Sequence, residues 1–96
     1  MVQLIKIVKS NKKNKRFDAI FDIGKSKSRI ISFGSKKYDN YTIHFDKERR
    51  RLYRLRHRND NLKNPLSPGA LSWYILWGDS TSINKNIEEF RRVFKA

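Results

Sequence analysis

Ninety-six residues suffice for one small domain and exclude a two-domain enzyme. Twenty-three Lys and Arg against nine Asp and Glu give a formal charge of +14, which directs the search for partners toward polyanions and acidic surfaces. The absence of cysteine removes disulfide frameworks, thiolate zinc sites and cysteine nucleophiles together.

Met1 to Val8 is apolar but interrupted by Lys6 and lacks a small-residue cleavage site, so export by a signal peptide is not expected. Residues 2–9 are rich in β-branched side chains and read as a strand. Residues 16–23 alternate strictly, with Phe17, Ala19, Phe21 and Ile23 on one face and Asp18, Ile20 and Asp22 on the other, and form a second strand. Between them lies a basic turn, with Lys9, Lys12, Lys13, Lys15 and Arg16 in eight positions. Gly24 and the segment after it lead to a third strand over 29–33, with Ile31 and Phe33 on one face, closed by Gly34. The three make an antiparallel meander, which needs a cover for its apolar face.

Helices supply that cover. Tyr41, Phe45, Leu52 and Leu55 fall at helical spacing, and Asp46 is placed to cap a helix over 47–58. Pro65 to Gly69 is a rigid turn in which Pro68 opens a short apolar helix, Ala70 to Trp77, ended by Gly78. Asp79, Ser80, Thr81 and Ser82 offer caps for a last helix striped by Ile83, Ile87, Phe90 and Phe94. The expected fold is α+β, an N-terminal three-stranded antiparallel meander followed by three helices. It is read as a single small domain over 1–96, with strands and basic turns in 1–34 and helices in 40–95. The expected core sets Phe17, Phe21, Ile31 and Phe33 against Leu52, Leu55, Trp73, Leu76, Ile87 and Phe90.

The helix over 47–58 carries seven bases in twelve residues, with Glu48 as its internal partner. Arginine forks match phosphate oxygens, and such a density exceeds what solubility requires. Arg49, Arg50, Arg51, Arg54 and Arg58, with Lys12, Lys13, Lys15 and Arg16 of the basic turn, are therefore the candidate partner- or polyanion-binding residues. As surface charges, Arg50, Arg51 and Arg54 are expected to be removable with folding nearly intact. No zinc-finger spacing, RNA-binding strand signature or helix-turn-helix accompanies them, so sequence-specific reading is not expected. Trp73 is assigned to the core and Trp77, at the helix end, to an exposed aromatic anchor for a partner.

His44 and His57 have no second ligand at metal spacing, and Ser35, Ser67 and Ser72 sit in no nucleophile elbow. The expectation is a protein with no catalytic residues, no metal, no cofactor and no small-molecule substrate. The longest apolar run, Trp73 to Trp77, is far below the ~20 residues that cross a bilayer.

Ser35 to Asp46, running into Glu48-Arg49-Arg50 and Tyr53 to Arg58, then Asn64 to Gly78 and Asn86-Ile87 with Phe90-Arg91-Arg92, resemble a family of small basic proteins encoded by large nucleocytoplasmic DNA viruses. The resemblance covers about residues 34–94. It implies a viral origin and no established catalytic residues, and it favours a minor capsid or cement component. Such a protein would bridge larger virion parts, capsid protein among them, through its basic face and aromatic anchor. Its place would be the virion, with the host-cell cytoplasm as the site of assembly. The alternative is a non-specific binder that coats or condenses viral DNA; an anionic membrane surface is the remaining partner class.

Overall fold

The structure, a computed structural model, describes residues 2–96; Met1, the first residue of the expected 1–96 domain, lies outside the described residues. Strands β1 (Gln3–Lys9), β2 (Lys15–Gly24) and β3 (Lys27–Ser35) form an antiparallel sheet in the order β1-β2-β3. The alternation of β2 sets which face is covered. Phe17 pairs with Phe33, Ala19 lies between Ile7 and Ile31, and Phe21 lies opposite Leu4, all toward the helices. A bulge between Leu4 and Lys6 keeps β1 in register with that face. The other face, with the row Lys6, Ile20 and Ile30, opens to solvent, and Ile30 is 60% exposed there.

After the sheet come four helices among the described residues, one more than the periodicity predicts. The additional one, α1 (Tyr41–His44), is a single turn capped by Asn40 and stopped by Phe45, which adopts the left-handed conformation at φ 56°. Phe45 breaks the helical phase that joins Tyr41 to Leu52 in the sequence. The Asp46 carboxylate then accepts from the Glu48 and Arg49 N–H groups and starts α2 (Lys47–His57), as its residue type predicts. Ser67 caps α3 (Pro68–Leu71), whose first helical residue is Pro68. The chain continues without a break into a π-helical turn, Ser72–Leu76, closed by the Trp77 N–H donating to the Ser72 carbonyl. Ser82 is the cap used by α4 (Ile83–Phe94).

Sheet and helices share one core. Phe21, Phe33 and Phe90 are fully buried, with Leu71, Ile75 and Leu76 between the layers. Each such side chain contributes about 1.5–3 kcal/mol relative to leaving it in water. Gly34 adopts a φ of 79°, which disfavours any side chain, and a Cβ there would also press on Leu76 Cδ1 at 2.7 Å. Asn86 is buried among these apolar groups and donates to the Ile75 and Ser80 carbonyls while accepting from the Ser80 N–H, which fixes the loop into α4.

Three expectations about the core need correction. Leu52 and Leu55 lie outside it, exposed, because α2 docks through Arg50, Tyr53, Arg54 and His57, the polar and aromatic set at i, i+3, i+4 and i+7. Trp77 is buried, at 9% exposure, and is not an exposed anchor: α2 lies across the helix end that was expected to open. Trp73 is only half-buried, with the Arg54 guanidinium over its ring at 4.8 Å.

Candidate functional site

The arginines divide by what they touch. Arg50 Nε donates to the Gly78 carbonyl at 2.6 Å and its Nη2 to Asp79 at 2.5 Å, while Arg54 Nε donates to the Trp77 carbonyl at 3.0 Å. These carbonyls end the aromatic helix, so two guanidiniums cap it. Burial, and then the neighbouring Arg50, push the Arg54 pKa down. Arg16 is likewise turned inward, donating to the Ser35 and Tyr38 carbonyls with Asp39 3.6 Å away. Arg16, Arg50 and Arg54 are therefore structural straps, which corrects their assignment as free polyanion-binding charges. Arg51 is held on the surface by Glu48.

The remaining candidates stay open to solvent. Arg49 and Arg58, with Arg56, are exposed and carry no ion pair among the described residues. Lys12, Lys13 and Lys15 are exposed on the β1–β2 turn, which is closed by the Ser10 N–H donating to Arg16 and by Ser10 Oγ accepting from Lys12. The turn after β3 packs beside it: the Lys36 N–H donates to the Asn14 carbonyl and Lys36 Nζ to the Lys12 carbonyl. Five lysines, Lys36 and Lys37 included, thus crowd one end of the sheet.

Between this end, α2 and the start of α3 runs a groove of about 680 Å³. Lys15, Arg49 and Arg56 supply its positive charges, Tyr38, Tyr53, Trp77, Leu52 and Leu76 its apolar walls, and Asp39 and Asp60 its carboxylates. Three of its rings, Trp77, Tyr53 and His57, stack in turn, and His44, outside the groove, packs at a tilt against the first. His44 lies 5.3 Å from Trp77, Trp77 stacks on Tyr53 at 4.2 Å and 4°, and Tyr53 stacks on His57 at 4.3 Å. Burial, with Asp60 nearby, pushes the Tyr53 phenol up to about 12.

His57 Nδ1 lies 2.8 Å from Asp60. The i, i+3 spacing of His57 and Asp60 across the helix end is the sequence signal of this pair. Tyr38, Lys36, Lys37 and Arg56 also belong to this surface although they were not among the candidate binding residues; the adjacent lysine pair at 36–37 was the available signal. His44 Nδ1 accepts from the Asp46 N–H, and its Nε2 is buried without a partner among the described residues. Burial first, and Arg49 second, lower its pKa. No group of three or more metal-ligating side chains occurs among the described residues, and no helix there is long and apolar enough to cross a membrane.

No curated protein and no solved structure matches the chain. Residues 5–57, which carry all of the sheet but the start of β1, the lysine turns, α1 and α2, match the model of a family of unknown function, DUF5754. With more than half its length matched, the chain belongs to that family.

Proposed function

We propose that this protein binds nucleic acid through the phosphate backbone without reading sequence, and so coats or condenses a genome. One observation carries the reading: Lys15, Arg49 and Arg56 converge on one groove beside four further lysines, Lys12, Lys13, Lys36 and Lys37, while Arg16, Arg50 and Arg54, which the fold uses, do not line it. Positive charge left without internal partners and gathered on one surface is the electrostatic footprint of phosphate contact. The resemblance to proteins of large DNA viruses supports a viral genome as the polyanion.

Salt titration of binding to a random-sequence duplex tests this. About five phosphate contacts give a slope of about −4.5 in log K against log salt, hence a loss of nearly three decades between about 50 and 200 mM. Changing Lys12, Lys13, Lys36 and Lys37 to Gln should flatten that slope with little change in melting temperature. Binding that is absent at low salt, or indifferent to salt, overturns the proposal.

A second reading, a minor capsid or cement component of the virion, is favoured by the exposed side of α2 that forms one rim of the groove. There Leu52 and Leu55 are exposed between Arg49 and Arg56 on one flank and Arg51 and Arg58 on the other, a strip suited to an acidic protein surface. Retention on empty capsids after nuclease treatment would support it over the first reading.

A further inference from the structure

We infer that the groove seats unpaired nucleotides, so that the protein holds single strands in preference to duplex; this rests on the nucleic-acid reading above. Its volume, about 680 Å³, lies within the roughly 300–1,000 Å³ range of pockets that enclose small ligands. A duplex presents phosphates on a convex surface with its bases stacked inside, so it would engage the charged rim and leave the interior of the groove empty. A single strand can place a base inside while its phosphates meet the rim.

The rings of the groove match that use. Tyr38 lines it yet is 68% exposed, and its ring forms no aromatic pair among the described residues. Its backbone is nevertheless held, because Arg16 donates to the Tyr38 carbonyl at 2.9 Å. A large ring on a fixed backbone, unused by the core, is a stacking platform already in place. Lys15, Arg49 and Arg56 line the same groove and can take the flanking phosphates. Aromatic faces for bases and cations for the backbone are together the chemistry by which proteins hold single strands with little sequence preference.

Fluorescence anisotropy on the full chain, with a labelled oligothymidine of about twelve nucleotides and a duplex of equal length, tests the inference. The single strand should bind more tightly. Tyr38→Ala should weaken single-strand binding about 5- to 150-fold, leave duplex binding nearly unchanged and leave the circular dichroism spectrum intact, since the ring is exposed. Tyr38→Phe should retain the affinity. If both nucleic acids bind equally and Tyr38→Ala alters neither, the groove assignment fails while backbone binding stands. If neither binds at low salt, both proposals fall.

Discussion

Where β2, β3 and α4 meet, Phe21, Phe33 and Phe90 are closed off from solvent; where α2 crosses the end of the aromatic helix, none of its eleven residues is more than partly buried. The first contact is apolar and non-directional. The second is made of guanidinium-to-carbonyl hydrogen bonds, a cation over an indole and stacked rings, all of which depend on angle and distance. In a chain of charge +14 the difference shows that arginine count alone does not measure a binding surface. Part of that charge holds the fold together.

The largest expected effect breaks the apolar side. Phe90→Ala should cost about 3–5 kcal/mol, a large share of the ~5–15 kcal/mol of a typical domain, and leave much of the chain unfolded by circular dichroism at 37 °C. Arg54→Ala sharpens the contrast on the other side. Losing a charge-assisted bond to a helix end should cost about 1–3 kcal/mol and lower the melting temperature by at least roughly 4 °C, whereas Arg56→Ala should stay within about 0.5 kcal/mol. Equal effects of the two would show that α2 is not strapped by its arginines.

Hydrogen exchange should separate the two regions without mutation. Amides of α2 should exchange faster than those of β2, because local opening of α2 exposes little apolar surface. The smallest effect is that of pH. His44 is held neutral in the fold below its ordinary value of 6.5, so the unfolded chain binds the proton more readily; stability is full above about pH 6.5 and declines as pH falls below it. Protonation also removes the acceptor for the Asp46 N–H at the α1–α2 junction. A His44→Asn variant, which keeps a side-chain acceptor without titrating near neutrality, should show a flatter melting temperature between about pH 7.5 and 5.5.

Strand alternation made the sheet legible: the face of Phe17, Ala19, Phe21 and Ile23, and that of Ile31 and Phe33, is the covered one. The cap at Asp46 was equally readable, and Ser82 was one of the four caps offered for the last helix, whereas the cap at Ser67 was not foreseen. The docking face of α2 was not. Periodicity selects the apolar residues Leu52 and Leu55, yet Arg50, Tyr53, Arg54 and His57 have the same spacing and meet open carbonyls and rings supplied from another helix. Residue type alone does not say whether a guanidinium finds such a carbonyl. The π-helical turn was equally hidden. It brings Gly78 so close to Tyr74 that a Cβ at Gly78 would lie 2.1 Å from the Tyr74 carbonyl oxygen, a constraint of three-dimensional approach that shows in one dimension only as a glycine after an apolar run.

The free edge of β1 meets the far end of the sequence: the Leu4 N–H donates to the Ala96 carbonyl, and Arg91 donates to the Leu4 and Ile5 carbonyls. During synthesis, then, the strand made early waits with an open edge until the segment made some ninety residues later has emerged. Closing that edge requires the longest loop in the chain to be drawn together, which slows folding and leaves the nascent chain open to pairing with neighbouring copies in the interval. Truncation after Phe94 would remove the Ala96 carbonyl from that edge and leave Arg91 to hold it alone.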